Sequence, residues 1–260
     1  MKVLILAGGL GTRLSEETNL IPKPMALVGE KPILWHIMKS YSKYGFDEFV
    51  ILLGYKGYII KEYFANYFLH MSDVTFDLAN NSMKIMNNTS EPWKVTLLDT
   101  GLYTQTAARI RKAKSVVDNE TFFLTYGDGI ADVDLNKLLK HHNKHEGEVT
   151  MTAVQPAGRF GSIKQDSHGL VKNFLEKPQG DGSWVNGGYF VCNPSIFDYL
   201  GNDDDMPLEK DPLESLARDD KLFTYKHTGF WKCLDTLKDK KDLEDIIQSG
   251  HTPWLLPTES

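Results

Sequence analysis

The start of the chain constrains the fold most, because an aliphatic run ends there abruptly in a glycine-rich loop. Lys2 to Leu6 is β-branched and aliphatic, which is typical of a buried parallel strand. The glycines that follow, Gly8, Gly9 and Gly11, allow a ligand to approach the backbone closely. The pattern predicts an α/β sheet that opens with a strand leading into a binding site.

Alternating apolar periodicities along the rest of the chain support this fold class. A helical pattern over Pro32 to Tyr44 precedes an apolar strand over Glu48 to Leu53, which completes a βαβ unit. The same criteria predict helices over 56–68, 106–116, 135–145 and 237–247, and strands over 95–98, 122–125, 149–154, 171–175 and 189–192. This alternation predicts a Rossmann-like, three-layer α/β/α fold with a mixed, mostly parallel central sheet.

One segment interrupts the alternation. Between Val74 and Trp93, two short runs of alternating polarity are separated by Asn80, Asn81 and Ser82, which favours a β-hairpin. We interpret this hairpin as an insertion in the α/β fold and as a possible contact between copies of the chain in an oligomer.

Composition excludes several classes of protein. With 260 residues, of which 41% are hydrophobic, the chain can bury a substantial core, and its formal charge of −6 argues against broad nucleic-acid binding. No stretch has the pattern of a secretion signal or a membrane span, so we expect a cytoplasmic protein without membrane association. The two cysteines, Cys192 and Cys233, cannot by themselves form a disulfide framework or a zinc site.

The glycine loop is accompanied by two cationic side chains, Arg13 and Lys23. Backbone N–H groups and cations are what a triphosphate requires, although a lone Gly-Gly-x-Gly is more often a simple tight turn. A dinucleotide-binding fingerprint would need glycine or alanine where Leu14 stands, and a Walker loop would need Gly-Lys-Ser/Thr, which the chain lacks. Hydride transfer and P-loop chemistry are therefore not predicted.

Two aspartates are candidate ligands for a metal ion. Asp128 follows the apolar strand at 122–125, at the carboxyl end where open α/β sheets bind ligands. Asp235 precedes a predicted helix, and its residue type and position alone favour the role of helix N-cap. Three histidines, at positions 141, 142 and 145, are interpreted as an exposed polar helix face rather than a metal site.

The run from Gly8 to Met25, with Pro22-Lys23-Pro24 and then Lys31-Pro32, resembles the signature of the sugar nucleotidylyltransferases. The resemblance implies a fold of the nucleotide-diphospho-sugar transferase type, Arg13 and Lys23 in catalysis, and Mg²⁺ bound by Asp128 and Asp235. The implied nucleotide-binding residues are Leu6, Ala7, Gly8, Gly9, Leu10, Gly11, Thr12, Arg13, Lys23, Thr104, Arg109 and Gly127. The implied sugar-phosphate-binding residues are Gly161, Glu176, Lys177 and Asn186.

Within that family, the chain resembles the glucose-1-phosphate cytidylyltransferases along its whole length. Tyr126-Gly127-Asp128-Gly129 stands where thymidylyl enzymes have Leu-Gly-Asp-Asn. The resemblance departs at Thr106-Ala107-Ala108-Arg109, where the cytidylyl pattern has Thr-Gly-Gly-Arg. Because this loop lies near the base in the family, two added methyl groups could narrow the base pocket or change which base it accepts.

The resemblance implies transfer of a cytidylyl group from CTP to glucose 1-phosphate, in a homo-oligomer that serves deoxysugar and lipopolysaccharide O-antigen biosynthesis. A thymidylyl- or uridylyltransferase and a non-catalytic nucleotide-sugar sensor remain alternatives. We expect one domain, with a nucleotide-binding half over 1–133, a sugar-binding half over 134–235, and a C-terminal helix and tail over 236–260.

Overall fold

Strands and helices alternate along the chain, and seven of the strands form one central sheet. The computed structural model describes residues 1–11, 20–156, 162–168, 170–175 and 183–255. The strands of these ranges are β1 (Val3–Ala7), β2 (Leu27–Val28), β3 (Lys31–Pro32), β4 (Glu48–Leu53), β5 (Ser72–Asp77), β6 (Ser82–Asn88), β7 (Lys94–Asp99), β8 (Phe122–Tyr126), β9 (Gly129–Ala131), β10 (Val149–Val154), β11 (Ser162–Gln165), β12 (Val171–Leu175), β13 (Val185–Cys192), β14 (Leu222–Lys226) and β15 (Trp231–Cys233). The α-helices are α1 (Ile33–Ser42), α2 (Gly57–Ala65), α3 (Tyr67–His70), α4 (Thr106–Lys112), α5 (Leu135–His142), α6 (Asp211–Arg218) and α7 (Leu237–Gln248).

The central sheet is mixed and mostly parallel, as predicted. Its strand order is β14-β10-β13-β8-β1-β4-β7. β1 pairs in parallel with both β4 and β8, while β13 is antiparallel to β8 and β10. Parallel pairing brings the carboxyl ends of β1 and β8 to the same edge of the sheet, so the glycine loop and the segment containing Asp128 lie side by side.

Helices cover both faces of this sheet. All five residues of β1 are buried, and they alternate between two separate cores. Val3 and Ile5 face the core that contains residues of α1, α5 and α7, whereas Leu4 and Leu6 face the core that contains residues of α4 and α6. Burial on both faces explains why the strand is uniformly aliphatic, and it confirms the three-layer architecture.

The predicted hairpin is present as β5 and β6. The two strands pair antiparallel, apart from the central sheet, and Asp77 lies opposite Ser82 at the turn. Nearly all of their residues are exposed. The hairpin therefore contributes little to either core.

Several elements differ from the prediction. The helix expected over 56–68 is divided at Asn66 into α2 and α3, and the helix expected over 106–116 ends at Lys112, before a 3-10 turn. The small ribbons β2–β3 and β9–β15 were not predicted, because strands of two or three residues have no measurable periodicity. The edge strand β14 was not predicted either, since none of its five residues is buried and it lacks the apolar run of a core strand.

The histidine interpretation was partly wrong. His142 is buried, with ring nitrogens 2.8 Å from Oγ1 of Thr150 and 3.1 Å from Oδ1 of Asn193. His145 also contacts Oγ1 of Thr150, at 2.9 Å. These two rings therefore join α5 and the loop after it to the sheet.

No helix in the described ranges combines the length and the apolar character needed to cross a lipid bilayer.

Candidate active site

Two cavities adjoin at the edge of the central sheet. The first lies where β1 and β8 end and has a volume of about 310 Å³. It is lined by Leu6, Ala7, Gly8, Gly9, Gly11, Lys23, Pro24, Thr104, Gln105, Thr106, Arg109, Tyr126, Gly127 and Asp128. Of the predicted nucleotide-binding residues that the structure describes, all line this cavity except Leu10, whose side chain is exposed. Cavities of this size are typical of small-molecule sites.

Arg109 fixes the shape of this cavity from within. Its buried guanidinium donates to Oγ1 of Thr100 and to the backbone carbonyls of Gly8, Leu53, Gly101 and Leu102, over distances of 2.7–3.2 Å. These bonds join the glycine loop to the loop after β7. Burial lowers the pKa of Arg109, although nearby Asp99 opposes the effect.

Gly8 is required for this arrangement, because a Cβ atom there would lie 2.3 Å from Nη1 of Arg109. No real side chain tolerates so short a contact. The glycine at this position therefore serves the packing of the arginine as well as the approach of a ligand.

Ala107 and Ala108 do not line the cavity. Both are fully buried on α4, and Ala107 packs in the core that includes Ile110. Their methyl groups replace glycines of the pattern that the sequence resembles, and they lie inside a helix and not on the lining of this cavity. The departure from the cytidylyl pattern thus leaves the described lining of the cavity unchanged.

Lys23 lies between the two candidate metal ligands. Its Nζ donates to Oδ2 of Asp128 at 2.6 Å and to Oδ1 of Asp235 at 2.7 Å. Burial by itself lowers the pKa of Lys23, but the two carboxylates outweigh burial and raise it above its ordinary value. The lysine is therefore a fixed cation at this point.

A short ribbon brings the two aspartates together although 107 positions separate them in the chain. Asp128 directly precedes β9, Asp235 closely follows β15, and these strands pair so that Gly129 lies opposite Cys233. The N-cap of α7 is Thr236, which forms a capping box with Asp239. Asp235 is thus not the helix cap that its position alone favoured, and its carboxylate faces Lys23.

The two carboxylates suit a small divalent cation, because each places an oxygen beside one shared cationic atom, Nζ of Lys23. Mg²⁺ is usually bound by one or two carboxylates, with water and substrate phosphate completing its shell. In the part of the chain that the structure describes, no three or more His, Cys, Asp or Glu side chains form a metal cluster. Asp128 and Asp235 are therefore suitable ligands for Mg²⁺ when a phosphate supplies the remainder.

A second cavity, of about 440 Å³, adjoins the first. Its lining consists of Thr125, Tyr126, Asp128, Gly129, Asn186, Gly187, Gly188, Tyr189, Glu209, Trp231, Cys233 and Asp235. Tyr126 and Asp128 line both cavities, so the aspartate–lysine cluster lies where the two meet. Trp231 closes part of the wall by donating from Nε1 to the carbonyl of Gly187 at 2.7 Å.

Five predicted site residues lie outside the described ranges: Thr12, Arg13, Gly161, Glu176 and Lys177. Their assignments stay predictions. Three lining residues were not predicted from the sequence: Tyr126, Glu209 and Trp231. Tyr126 directly precedes the Gly127-Asp128 pair and could have been found from that motif, whereas no pattern in the sequence indicates Glu209.

Comparison with known proteins shows which family the chain matches. The family model described as "Nucleotidyl transferase" matches residues 2–242. The chain is 52% identical to the glucose-1-phosphate cytidylyltransferase of Salmonella typhi, covering 98% of each chain, and 28% identical to the mannose-1-phosphate guanylyltransferase catalytic subunit beta of Drosophila pseudoobscura, covering 92% of this chain and 60% of that protein. Among solved structures, a UDP-glucose pyrophosphorylase complexed with UDP-glucose has the same fold, with a TM-score of 0.67 at 17% identity over 96% of this chain and 98% of the other.

Proposed function

We propose, from the premise that this chain belongs to the nucleotidyl transferase family, that it transfers a cytidylyl group from CTP to α-D-glucose 1-phosphate. The products are CDP-glucose and pyrophosphate. The observation that carries this proposal is the junction of two cavities at Asp128, where a lysine and two aspartates meet. A transferase that joins two substrates needs such a junction, and the choice of CTP and glucose follows the similarity to the Salmonella typhi enzyme.

The reaction is a direct in-line displacement. An oxygen of the sugar phosphate attacks the α-phosphorus of CTP and forms a new P–O bond. The bond from that phosphorus to the bridging oxygen breaks, and pyrophosphate leaves with the electron pair. Holding two substrates in such an alignment contributes about 7–11 kcal/mol in favourable cases.

The residues of the first cavity bind and orient the nucleotide. The backbone of Gly8, Gly9 and Gly11 provides close approach to the triphosphate, and Lys23 provides positive charge where the α-phosphate reaches the junction. We assign Arg13 to the phosphates in catalysis, as the family signature implies. We assign Thr12 to the nucleotide on the same ground.

Asp128 and Asp235 would hold Mg²⁺. When bound, this ion offsets the negative charge that develops between the two phosphates. The aspartates contribute two charges and Lys23 one, so the cluster has one net negative charge and attracts a divalent cation.

The second cavity is assigned to the hexose. Asn186 lines it, and we assign Glu176 to the sugar hydroxyls, Lys177 to the sugar phosphate and Gly161 to the pocket wall. Ser162 and Leu175, which adjoin Gly161 and Glu176 in the chain, pair with each other across β11 and β12.

Several finer assignments accompany this function. We propose a cytoplasmic enzyme, which fits a nucleoside triphosphate substrate, and a homo-oligomer that uses the exposed β5–β6 hairpin. We propose one domain with the halves 1–133 and 134–235 and the tail 236–260, since the central sheet takes strands from both halves. A role in deoxysugar and O-antigen biosynthesis fits the product.

The decisive experiment is pyrophosphate release from glucose 1-phosphate with CTP, UTP, dTTP, GTP and ATP in parallel. We expect CTP to be preferred by at least about 100-fold in kcat/KM, since sites that hydrogen-bond a distinguishing group of their substrate can reject analogues by about 10⁴-fold or more. Preference for dTTP or UTP would assign the chain to the corresponding thymidylyl- or uridylyltransferases. Nucleotide binding without turnover would instead support a sensor.

A further inference from the structure

Tyr126 stands between the two cavities and connects them through its hydroxyl group. Its side chain lines both cavities, and the hydroxyl donates to Oε1 of Glu209 while accepting from Nδ2 of Asn186 at 3.3 Å. Burial, together with the adjacent Glu209 carboxylate, raises the pKa of Tyr126, so the phenol keeps its proton. A hydroxyl has one donor and two acceptor positions, so one lone pair remains for a ligand in the second cavity.

The second oxygen of Glu209 reaches the nucleotide side. Oε2 accepts from Oγ1 of Thr106 at 3.0 Å, and Thr106 lines the first cavity. The threonine hydroxyl in turn accepts from the backbone N–H of Leu208 at 2.7 Å. One carboxylate therefore binds a side chain from each cavity.

The segment that carries Glu209 is held in place on both sides. Leu208 is fully buried, and its carbonyl accepts from the N–H of Leu213 at 3.1 Å. Earlier in the loop, the carbonyl of Asp204 accepts from the N–H of Gln105 at 2.8 Å. Although Glu209 is itself exposed, its backbone is anchored, so little ordering is needed when a ligand binds.

The position of the Tyr126 ring depends on the sugar side as well. The N–H of Gly188 donates to Oδ1 of Asn186 at 2.8 Å, which turns the Asn186 amide nitrogen toward Tyr126. Gly188 has φ of +79°, and a Cβ atom there would lie 2.6 Å from Cδ2 of Tyr126. The tyrosine is thus packed against a residue that has to be glycine.

We propose that Glu209 is a positioning residue that couples the two substrate cavities and sets the choice of hexose. By holding Tyr126 and Thr106 with its two oxygens, the carboxylate fixes the Tyr126 hydroxyl as a hydrogen-bond acceptor for a hydroxyl group of the hexose. The inference rests on the proposed function, because it assigns the second cavity to the sugar phosphate.

The test compares Glu209→Ala, Tyr126→Phe and the double variant with the wild-type enzyme. We expect KM for glucose 1-phosphate to rise about 10-fold to 100-fold in each single variant, since a hydroxyl group of the hexose loses its acceptor inside the cavity, while KM for CTP changes less than about threefold. The double variant should match the single variants, because both changes remove one shared contact. Discrimination between glucose 1-phosphate and its C4 epimer, galactose 1-phosphate, should fall by a similar factor.

Glu214→Ala is the matched control, since it removes the same side chain and charge from an exposed glutamate of α6 that lines neither cavity. We expect wild-type kinetics from it and a Tm within about 1 °C of wild type from all variants. Calorimetric titration with glucose 1-phosphate makes the same comparison without turnover, so the inference is tested even if no nucleotide supports a reaction. Unchanged sugar affinity and hexose discrimination in Glu209→Ala, or an equal rise in both KM values with a lowered Tm, would overturn it.

Discussion

At the scale of single residues, the site is organised by opposite charges that were far apart in the sequence. Lys23 is only 8% exposed and contacts two carboxylates. A buried charge is tolerated only when it is paired, so removing any member leaves the others uncompensated. Predictions at this scale concern binding of the metal ion and turnover.

Asp128→Asn should lower kcat with Mg²⁺ by about 100-fold or more while the fold is retained, because the variant loses one charged ligand at the end of a rigid strand. Pyrophosphate release and thermal unfolding measure the two properties. Asp205→Asn, at an exposed position that lines neither cavity, is the control. Full turnover by folded Asp128→Asn would refute the ligand assignment.

Lys23→Met should bind Mn²⁺ about tenfold more tightly than wild type in the absence of nucleotide, even though turnover is lost. The ammonium group neutralises the two carboxylates that would otherwise attract the ion, and opposite charges this close interact by several kcal/mol. Electron paramagnetic resonance of free Mn²⁺ gives the affinity. Lys94→Met, in an exposed pair with Glu48, should leave it unchanged, and weaker binding by Lys23→Met would contradict the explanation.

At the scale of structural elements, neighbouring residues of α4 have different roles: one lines the first cavity and two pack in the interior. Arg109 lines the first cavity, while Ala107 and Ala108 are buried away from it. We therefore expect the two methyl groups that distinguish this chain from the cytidylyl pattern to stabilise the helix.

Restoring the family pattern with Ala107→Gly and Ala108→Gly should lower the free energy of unfolding by about 1 kcal/mol per substitution, or more where a buried methyl group leaves a void. The preference among nucleotides should stay the same. Urea unfolding and the parallel nucleotide assay measure the two effects. A changed base preference at unchanged stability would show that the alanines act on the pocket.

The β5–β6 hairpin packs little against the rest of the described chain, because nearly all of its residues are exposed. Its large exposed side chains are Phe76, Met83, Ile85 and Met86, with Leu78 in the turn. An isolated two-stranded hairpin is marginally stable in water, so an apolar hairpin of this kind favours a contact with another copy.

Phe76→Ser combined with Ile85→Ser should therefore lower the molar mass measured by light scattering toward that of one chain, which is 29.5 kDa. Burial of two large apolar side chains contributes roughly 3–6 kcal/mol, enough to dissociate a contact of moderate affinity. Thr75→Ser on the same strand is the control. If the wild-type protein is an oligomer and the double variant has the same molar mass, the contact lies elsewhere.

At the scale of the whole molecule, a buried histidine joins the C-terminal segment to the first helix. The Nε2 atom of His36 is 2.9 Å from the carbonyl oxygen of Val28. Its Nδ1 atom accepts a hydrogen bond from Nε1 of Trp254 at 3.3 Å. Because a carbonyl can only accept, Nε2 carries the proton and the ring is neutral. Burial is the main reason why the pKa of His36 is lowered.

A lowered pKa in the folded state means that this contribution to stability is complete above the ordinary histidine pKa of about 6.5 and is lost as the pH falls below it. The Tm should therefore fall between pH 7.5 and pH 5.5. His36→Asn should start from a lower Tm and show a smaller fall over the same range. His142, whose pKa is also lowered by burial, contributes in the same direction, so the fall should not vanish in the variant. An identical fall in both proteins would contradict this account.

The sequence by itself determined the fold class and half of the site. The aliphatic run of β1, the helical spacing of α1 and the alternation in the hairpin are local patterns, because each follows from which face of one element is buried. The motifs around Gly8 and Asp128 lie at the ends of such elements. The family resemblance drawn from them is confirmed by the match over residues 2–242.

Only the tertiary structure decided which distant residues meet. Pairing of β9 with β15 directs Asp235 toward Lys23, and the loop before α6 brings Glu209 to Tyr126 and Thr106. Strands of three residues and a loop glutamate leave no periodic signal, since their positions are set by contacts across the chain. For the same reason, burial of Ala107 and Ala108 could not be foreseen: which face of a helix is covered depends on what packs against it.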